Sequence, residues 1–504
     1  MANPLKKLAG QTALYGVSTI LGRILTYAMV PLYTSVFEEA AYGVVTELYA
    51  YVAFFNILYT FGMETAYFRF SARVQGDEVA EREVYHAVWT TVFLISTLVS
   101  ALLLLYADAI ASSLGYSDLG YIVRWLAVIL WIDAIVAVPY ARMRNENKAL
   151  QFTVTKLSAI VFQVVLNLFF LLLLPKIHTT NAWLDTVYSL NLGVGYVFLA
   201  NLIGNAIIPF MLWRYLWEAR FRLDQKILRP MLLYAFPIFL MGIGGMINEN
   251  IEKILLNDLL PPDFYPDKTP QEALGVYGAC YKLSIFMMLA IQAFRYAGEP
   301  FFFSSAEDKT APRLFAQVMH YFTIFSILIL VGVSVNVDLL GQIFLRNPAY
   351  WDALYVVPFL LLAKLLYGIY INLSIWFKLT DKTYFGTIIS AVGAGVTLAG
   401  NFMLIPVLGY LGSAVASIAC FLVMCLICYH YGKKYYPIPY NFAPTFWYLL
   451  AAVLVIYASF KMSVENDLLK NTINIAIAVV FAAVVFMLER NQLQQQQKNV
   501  SKPN

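Results

Sequence analysis

Residues 153–174 read TVTKLSAIVFQVVLNLFFLLLL. At 1.5 Å per residue a helix of this length measures about 33 Å, enough to cross the hydrocarbon of a bilayer. Its single ionisable side chain, Lys156, stands in the first turn, and no glycine or proline interrupts it. A helix satisfies its own backbone polar groups in lipid, where no water is available to do so. The stretch is a membrane span, and the same pattern recurs along the chain. Spans are expected over 11–36, 43–68, 84–106, 119–141, 153–174, 187–213, 231–257, 273–298, 314–335, 351–377, 383–404, 410–431, 443–460 and 469–488. The fold class is all-α and polytopic, with fourteen transmembrane helices.

The composition agrees. Of 504 residues, 61% are hydrophobic and 13% charged, against about 25% charged in a soluble globular chain. That excludes an ordinary soluble enzyme. A net charge of +4, with no long Lys/Arg block, excludes a nucleic-acid-binding surface. The first apolar run follows Lys6 and Lys7 as a signal peptide's would, but it is too long for one and is read as a retained span. Cys280, Cys420, Cys425 and Cys428 all lie in apolar stretches, so a disulfide framework is not expected. No phosphate-binding loop, dinucleotide glycine motif or nucleophile elbow occurs, and His86, His178, His320 and His430 lack metal spacing. No cofactor is expected and no enzymatic reaction.

Charge sets the orientation. Twenty-two basic residues sit in alternate connections and at both ends, among them Arg142/Arg144/Lys148, Arg220/Arg222/Lys226 and Lys433/Lys434. The other connections hold only Lys176, Lys268, Arg346, Lys461 and Lys470. The positive-inside rule places both termini in the cytoplasm, which an odd number of spans would not allow. The longest outer connection runs only from about Asp258 to Glu272, leaving no room for an extramembrane catalytic domain.

A weak repeat runs through the first twelve spans. Tyr42-Gly43 and Tyr277-Gly278 stand 235 apart, as do Glu64 and Glu299; Asn167 and Asn401 stand 234 apart. Two parallel six-helix lobes follow from that register, 1–228 and 229–436, with two added helices over 437–490. The glutamine-rich tail over 491–504 is expected to be disordered.

Ionisable side chains in hydrocarbon are costly and so mark candidate transport positions. Arg23 in span 1, Glu47 in span 2, Asp133 in span 4, Lys282 in span 8 and Lys364 in span 10 are the candidate substrate-binding residues. Arg23 and Lys364 would attract a diphosphate, the guanidinium as a bidentate donor and the ammonium as a point charge. Their alternative role is pairing with Asp133 or Glu47. Lys156 and Glu64, nearer span ends, are read as snorkelling. The densest polar patch, Asn248 to Lys253, supplies the candidate coupling site for H⁺ or Na⁺: Glu249, Asn250, Glu252 and Lys253. Gly242, Gly244 and Gly245 beneath it would bend or unwind the helix. The competing reading is a static ion pair, Glu249 with Lys253 or Glu252 with Lys282.

Three stretches carry a family resemblance: Gly62-Met63-Glu64-Thr65-Ala66 with Arg69, Leu274 to Leu283 with Tyr277-Gly278, and Gly409 to Ser417 with Gly412-Ser413-Ala414. Together they resemble the polysaccharide-biosynthesis, oligosaccharide flippase (Wzx-type) family of the multidrug/oligosaccharidyl-lipid/polysaccharide exporter superfamily. The resemblance implies two six-helix lobes around a central cavity that opens alternately to either side of the bacterial inner membrane. It implies a lipid-linked glycan as substrate, membrane lipids and polysaccharide polymerase machinery as partners, and turnover driven by an ion gradient or the membrane potential. Four other readings stay open: a lipid II flippase, a multidrug antiporter, a membrane glycosyltransferase or polymerase, and a non-transporting scramblase or scaffold.

Overall fold

The structure is a computed structural model that describes residues 16, 19–178, 192–305 and 310–500. Lys6, Lys7 and the beginnings of spans 1 and 6 lie outside the described residues. Among those described there is no strand, only an isolated antiparallel bridge between Tyr265 and Lys268.

Each expected span has a helical counterpart. They are α1 (residues 19–36), α2 (Glu39–Arg73), α3 (Glu78–Leu105), α4 (Ser117–Asn145), α5 (Ala149–Ile177), α6 (Gly195–Met211) and α7 (Gln225–Asn250, resumed as Glu252–Leu259). They continue with α8 (Pro270–Lys282 and Ile285–Ser305), α9 (Ala311–Val335), α10 (Pro348–Leu379), α11 (Tyr384–Leu408), α12 (Tyr410–Tyr435), α13 (Ala443–Lys461) and α14 (Asp467–Val500). Among the described residues eleven are long and apolar enough to cross a membrane, or twelve if α8, bent by 47°, counts as one. The two that fall short are α1 and α6, whose first turns adjoin undescribed residues.

Local chemistry explains the helix starts. The Asp77 carboxylate accepts from the backbone N–H groups of Val79 and Ala80 at 3.0 and 3.1 Å and caps α3; Asp224 does the same for α7 through Lys226. From Asn491 the backbone continues α14 as helix to Val500. A helix already nucleated extends at little cost through glutamine, a good helix former.

The chain forms two compact units, Met1–Gly275 with Gly386–Phe402, and Val276–Phe385 with Met403–Asn504. In the first, α3 packs along α4, α5 and α4 both pack on α6, and α7 lies against α2. Its core includes Tyr59, Met63, Tyr67, Tyr85, Val88, Ala127 and Met231. In the second, α10 packs on α12, while α13 and α14 both pack on α9.

One break bears on the site. Helix α2 is interrupted at Phe61 (φ 47°) and Gly62 (φ 70°), two consecutive residues in the left-handed region. That conformation is free to glycine but costs phenylalanine roughly 1 kcal/mol. The Phe61 ring stacks on Phe239 of α7 at 4.6 Å, a contact that offsets the cost. The expected unwinding of α7 is not seen: it is continuous from Gln225 to Asn250, straight through its glycines. Those glycines provide space instead. A Cβ at Gly242 would sit 3.1 Å from the Ile57 side chain, and one at Gly244 would sit 2.9 Å from the Ser390 hydroxyl.

Candidate functional site

In the first unit, α4, α5, α6 and α2 bring a polar cluster together inside apolar helices. Asn201 and Asn205, one turn apart on α6, face the same way. The Asn205 amide donates to Asp133 of α4 at 2.9 Å, and the Asn201 amide donates to the Tyr49 hydroxyl of α2 at 3.0 Å. Lys156 of α5 feels the charges of Asp133, Arg23 and Arg144. The Tyr140 hydroxyl, about two turns along α4 from Asp133, is buried without a hydrogen-bond partner among the described residues. Arg23 is exposed on α1 and makes no ion pair among the described residues. The alternative role of Arg23, pairing with Asp133, is not seen; Asp133 accepts from the Asn205 amide.

Arg23 and Lys156 are two basic side chains beside the single carboxylate of Asp133, and Arg144 is bonded to Glu64. Lys156 and Glu64 thus do more than snorkel: one joins the interior cluster, the other ties α2 to the end of α4. Sequence reasoning missed Asn201, Asn205 and Tyr49. The pair of asparagines four apart in an apolar helix was the available signal.

Glu47 of α2 is only 1% exposed. The Tyr116 hydroxyl donates to it at 2.5 Å and the Asn257 amide at 3.3 Å. Two neutral donors from the connection before α4 and the end of α7 thus hold the carboxylate, and through it α2.

The patch on α7 is organised by a change of helix. The first segment ends at Asn250 and the second begins at Glu252, with Ile251 between them. Lys253 Nζ donates to Asn250 Oδ1 at 2.8 Å, to the Glu249 carbonyl at 3.4 Å, and stands 3.7 Å from Glu252 Oε1. Glu249 and Asn250 are half-buried and Glu252 fully buried. One turn earlier Asn248 joins α7 to α11: its amide donates to the Ser390 carbonyl at 3.3 Å and its Oδ1 accepts from Thr397 at 3.3 Å. This residue, too, was missing from the sequence candidates.

In the second unit Lys364 of α10 is 4% exposed. Its ammonium lies 5.2 Å from the Tyr281 ring centre and 6.0 Å from that of Phe421, an aromatic setting that favours a cation. Lys282, half-buried, closes the first segment of α8 just before the bend, where the carbonyl end of the helix favours a positive charge. Cys425 and Cys428 are buried and free, and among the described residues no cluster of His, Cys, Asp and Glu could hold a metal.

The basic-rich end of the first unit carries an ion-pair network. Arg142 bonds Glu146 at 2.7 Å and Glu218 at 3.0 Å; Lys148 bonds Glu146 at 2.6 Å and the Tyr215 hydroxyl at 3.0 Å. Glu146, just past α4, is pushed up by burial, but the Lys148 hydrogen bond and the Arg142 charge outweigh this and hold it below the usual carboxylate range.

The profile of the family described as "Polysaccharide biosynthesis protein" matches residues 8–303, more than half of the chain. A search of curated proteins returns no match. Among solved structures the fold is similar to "Lipid II flippase MurJ, inward closed conformation", with a TM-score of 0.72 and 14% identity, covering 94% of this chain and 99% of that one. It is also similar to a multidrug resistance MATE family transporter of the MOP superfamily. Its inward-facing conformation gives a TM-score of 0.59, 13% identity and coverage of 90% and 96%. Its outward-facing conformation gives 0.54, 13%, and 90% and 97%. At these identities the likeness is one of fold.

Proposed function

The chain belongs to the polysaccharide biosynthesis protein family, and from that premise we propose that it is a flippase rather than an enzyme. It carries an undecaprenyl-diphosphate-linked oligosaccharide across the bacterial inner membrane for surface polysaccharide (O-antigen or capsule) synthesis. The observation that supports this reading is the pair of basic side chains in the first unit, exposed Arg23 of α1 and half-buried Lys156 of α5, set against the one carboxylate of Asp133. A diphosphate moving through an apolar barrier needs compensating charge that the protein can offer without a permanent partner. Lys364, bounded by aromatic faces, supplies a second cation. Aromatic faces such as Tyr281 also suit sugar rings.

Access alternates between the two sides, driven by an ion gradient or by the membrane potential, with Glu249, Asn250, Glu252 and Lys253 as the coupling group. Both termini are cytoplasmic, so single cysteines at Gln225 and Lys268 in a cysteine-free background should label from opposite faces. Labelling of both from one face would overturn that orientation.

The decisive test is transport of a fluorescent undecaprenyl-diphosphate oligosaccharide in proteoliposomes, with and without an imposed gradient. Arg23→Ala and Lys364→Met should each insert normally and lose export. Full activity in both would sink the cationic-path reading. Lipid II belongs in the same assay as a competitor, because the fold is shared with the lipid II flippase. Preferential movement of lipid II would replace the oligosaccharide as the substrate.

A further inference from the structure

A second polar site lies in the second unit, apart from the residues assigned to transport. Arg313, Gln317 and His320 occupy positions i, i+4 and i+7 of α9 and share one face. They line a cavity of about 290 Å³ whose other walls include Asn441 before α13 and Glu489 and Gln492 on α14. The cavity therefore sits where α9 and α13 begin and the apolar part of α14 ends, at the level of the basic-rich face.

Its fixed point is Glu489, whose side chain is 12% exposed. The Tyr448 hydroxyl donates to one carboxylate oxygen at 2.8 Å, and His320 Nε2 lies 3.0 Å from the other. A carboxylate has about four acceptor positions, so two remain for an added donor. Arg313, by contrast, makes no ion pair or side-chain hydrogen bond among the described residues. One cavity thus presents an exposed guanidinium and a carboxylate fixed by two neighbours. The surroundings are lipid-facing: Tyr321 and Phe325 extend the Gln317 stripe along α9 into the apolar zone as exposed rings, and Trp447 and Phe486 are exposed on α13 and α14.

We propose that this cavity binds the headgroup of a zwitterionic aminophospholipid, with its phosphate diester on Arg313 and its primary ammonium on Glu489. Guanidinium matches phosphate bidentately, and a primary ammonium supplies the N–H donors that the free lone pairs of Glu489 accept. The acyl chains lie along Tyr321 and Phe325. A headgroup held there bridges α9 to α13 and α14, so bound lipid fastens the two added helices to the unit.

Native mass spectrometry of the delipidated full chain in detergent tests this, with matched phosphatidylethanolamine, phosphatidylcholine and phosphatidylglycerol added in turn. Phosphatidylethanolamine should bind in preference to the other two, since one lacks N–H donors and the other lacks the cation. Arg313→Gln, an exposed substitution that leaves the packed helices intact, should weaken that binding roughly ten- to hundredfold, the worth of a charge-assisted hydrogen bond. Arg313→Lys should recover part of it. Equal binding of all three lipids, or undiminished binding to Arg313→Gln, would overturn the proposal. So would equal binding of soluble glycerophosphoethanolamine, which would mean a free ligand and not a lipid.

Discussion

Asn167 and Asn401 stand 234 positions apart and use their amides identically: each Nδ2 donates to the carbonyl four residues earlier, Gln163 and Thr397, at 2.8 Å in both cases. Both are fully buried. They differ at the other end of the amide. Asn167 Oδ1 accepts from the Tyr33 hydroxyl at 3.0 Å, joining α5 to α1, whereas Asn401 Oδ1 has no partner among the described residues. Leucine at the two positions should therefore have unequal effects. Asn167→Leu strands the Tyr33 hydroxyl and should cost about 1–3 kcal/mol, while Asn401→Leu removes an unsatisfied group and should be near neutral or stabilising. Thermal unfolding of both variants in one detergent decides; equal losses would mean that the Tyr33 bond carries no weight.

The ion-pair network beyond α4 predicts a pH dependence. The Glu146 carboxyl is held below its ordinary value of 4.5. Its contribution is present above about pH 4.5 and is lost as pH falls through the folded value. Lys148 is held above its ordinary value by hydrogen bonds to Glu146 and Tyr215, so its contribution is complete below about pH 10.5 and is lost as pH rises past the folded value. Lys148 is half-exposed, and solvent screening limits the pair to about 1 kcal/mol. Melting temperature measured from pH 3 to pH 7 should fall at the acid end, and Glu146→Gln should flatten that limb. An unchanged acid limb in the variant would show that other carboxylates set it.

Most of the fold was legible because hydropathy and helical length follow from local sequence; α5, quoted first, is helical over its whole expected range. The interior of the site was less so. Lys156 looked peripheral by its position along α5, and only the packing of α5 against α4 and α6 places it near Asp133. Glu47 is held by Tyr116 and Asn257, 69 and 210 residues away, partners that no local pattern could indicate. The break in α2 was half visible: Gly62 permits a left-handed turn, but Phe61 adopts one because its ring finds Phe239 on another helix.

Glu252 tests the coupling proposal. If it serves only to balance Lys253, Glu252→Gln removes the carboxylate oxygen that stands 3.7 Å from that ammonium. The expected loss is about 1–3 kcal/mol, recovered on adding Lys253→Met. A residue that takes up the driving cation behaves otherwise, because an amide cannot bind and release a proton at physiological pH. We expect Glu252→Gln to melt within about 1 kcal/mol of the parent and to lose gradient-stimulated transport. Retained gradient stimulation in Glu252→Gln, Glu249→Gln and the double variant would remove α7 from coupling.

The glycines of α7 separate flexibility from close packing as the reason for their presence. Helix α7 passes through them unbroken, and their surroundings differ: Gly244 abuts Ser390, Gly242 abuts Ile57, and none of the described residues lies within 4 Å of where a Cβ at Gly245 would be. Alanine is favoured over glycine within a helix by roughly 0.8–1.0 kcal/mol. Gly245→Ala should therefore stabilise by up to about that amount. Gly244→Ala gains the same propensity but must displace Ser390, whose carbonyl holds Asn248, and should be net destabilising. If α7 moves as an unbroken helix during transport, Gly245→Ala keeps full export at the higher melting temperature. Were the glycines hinges, the same variant would gain stability and lose export together. Measuring both quantities on Gly245→Ala distinguishes the two, because packing damage at this open position cannot be the cause of a loss.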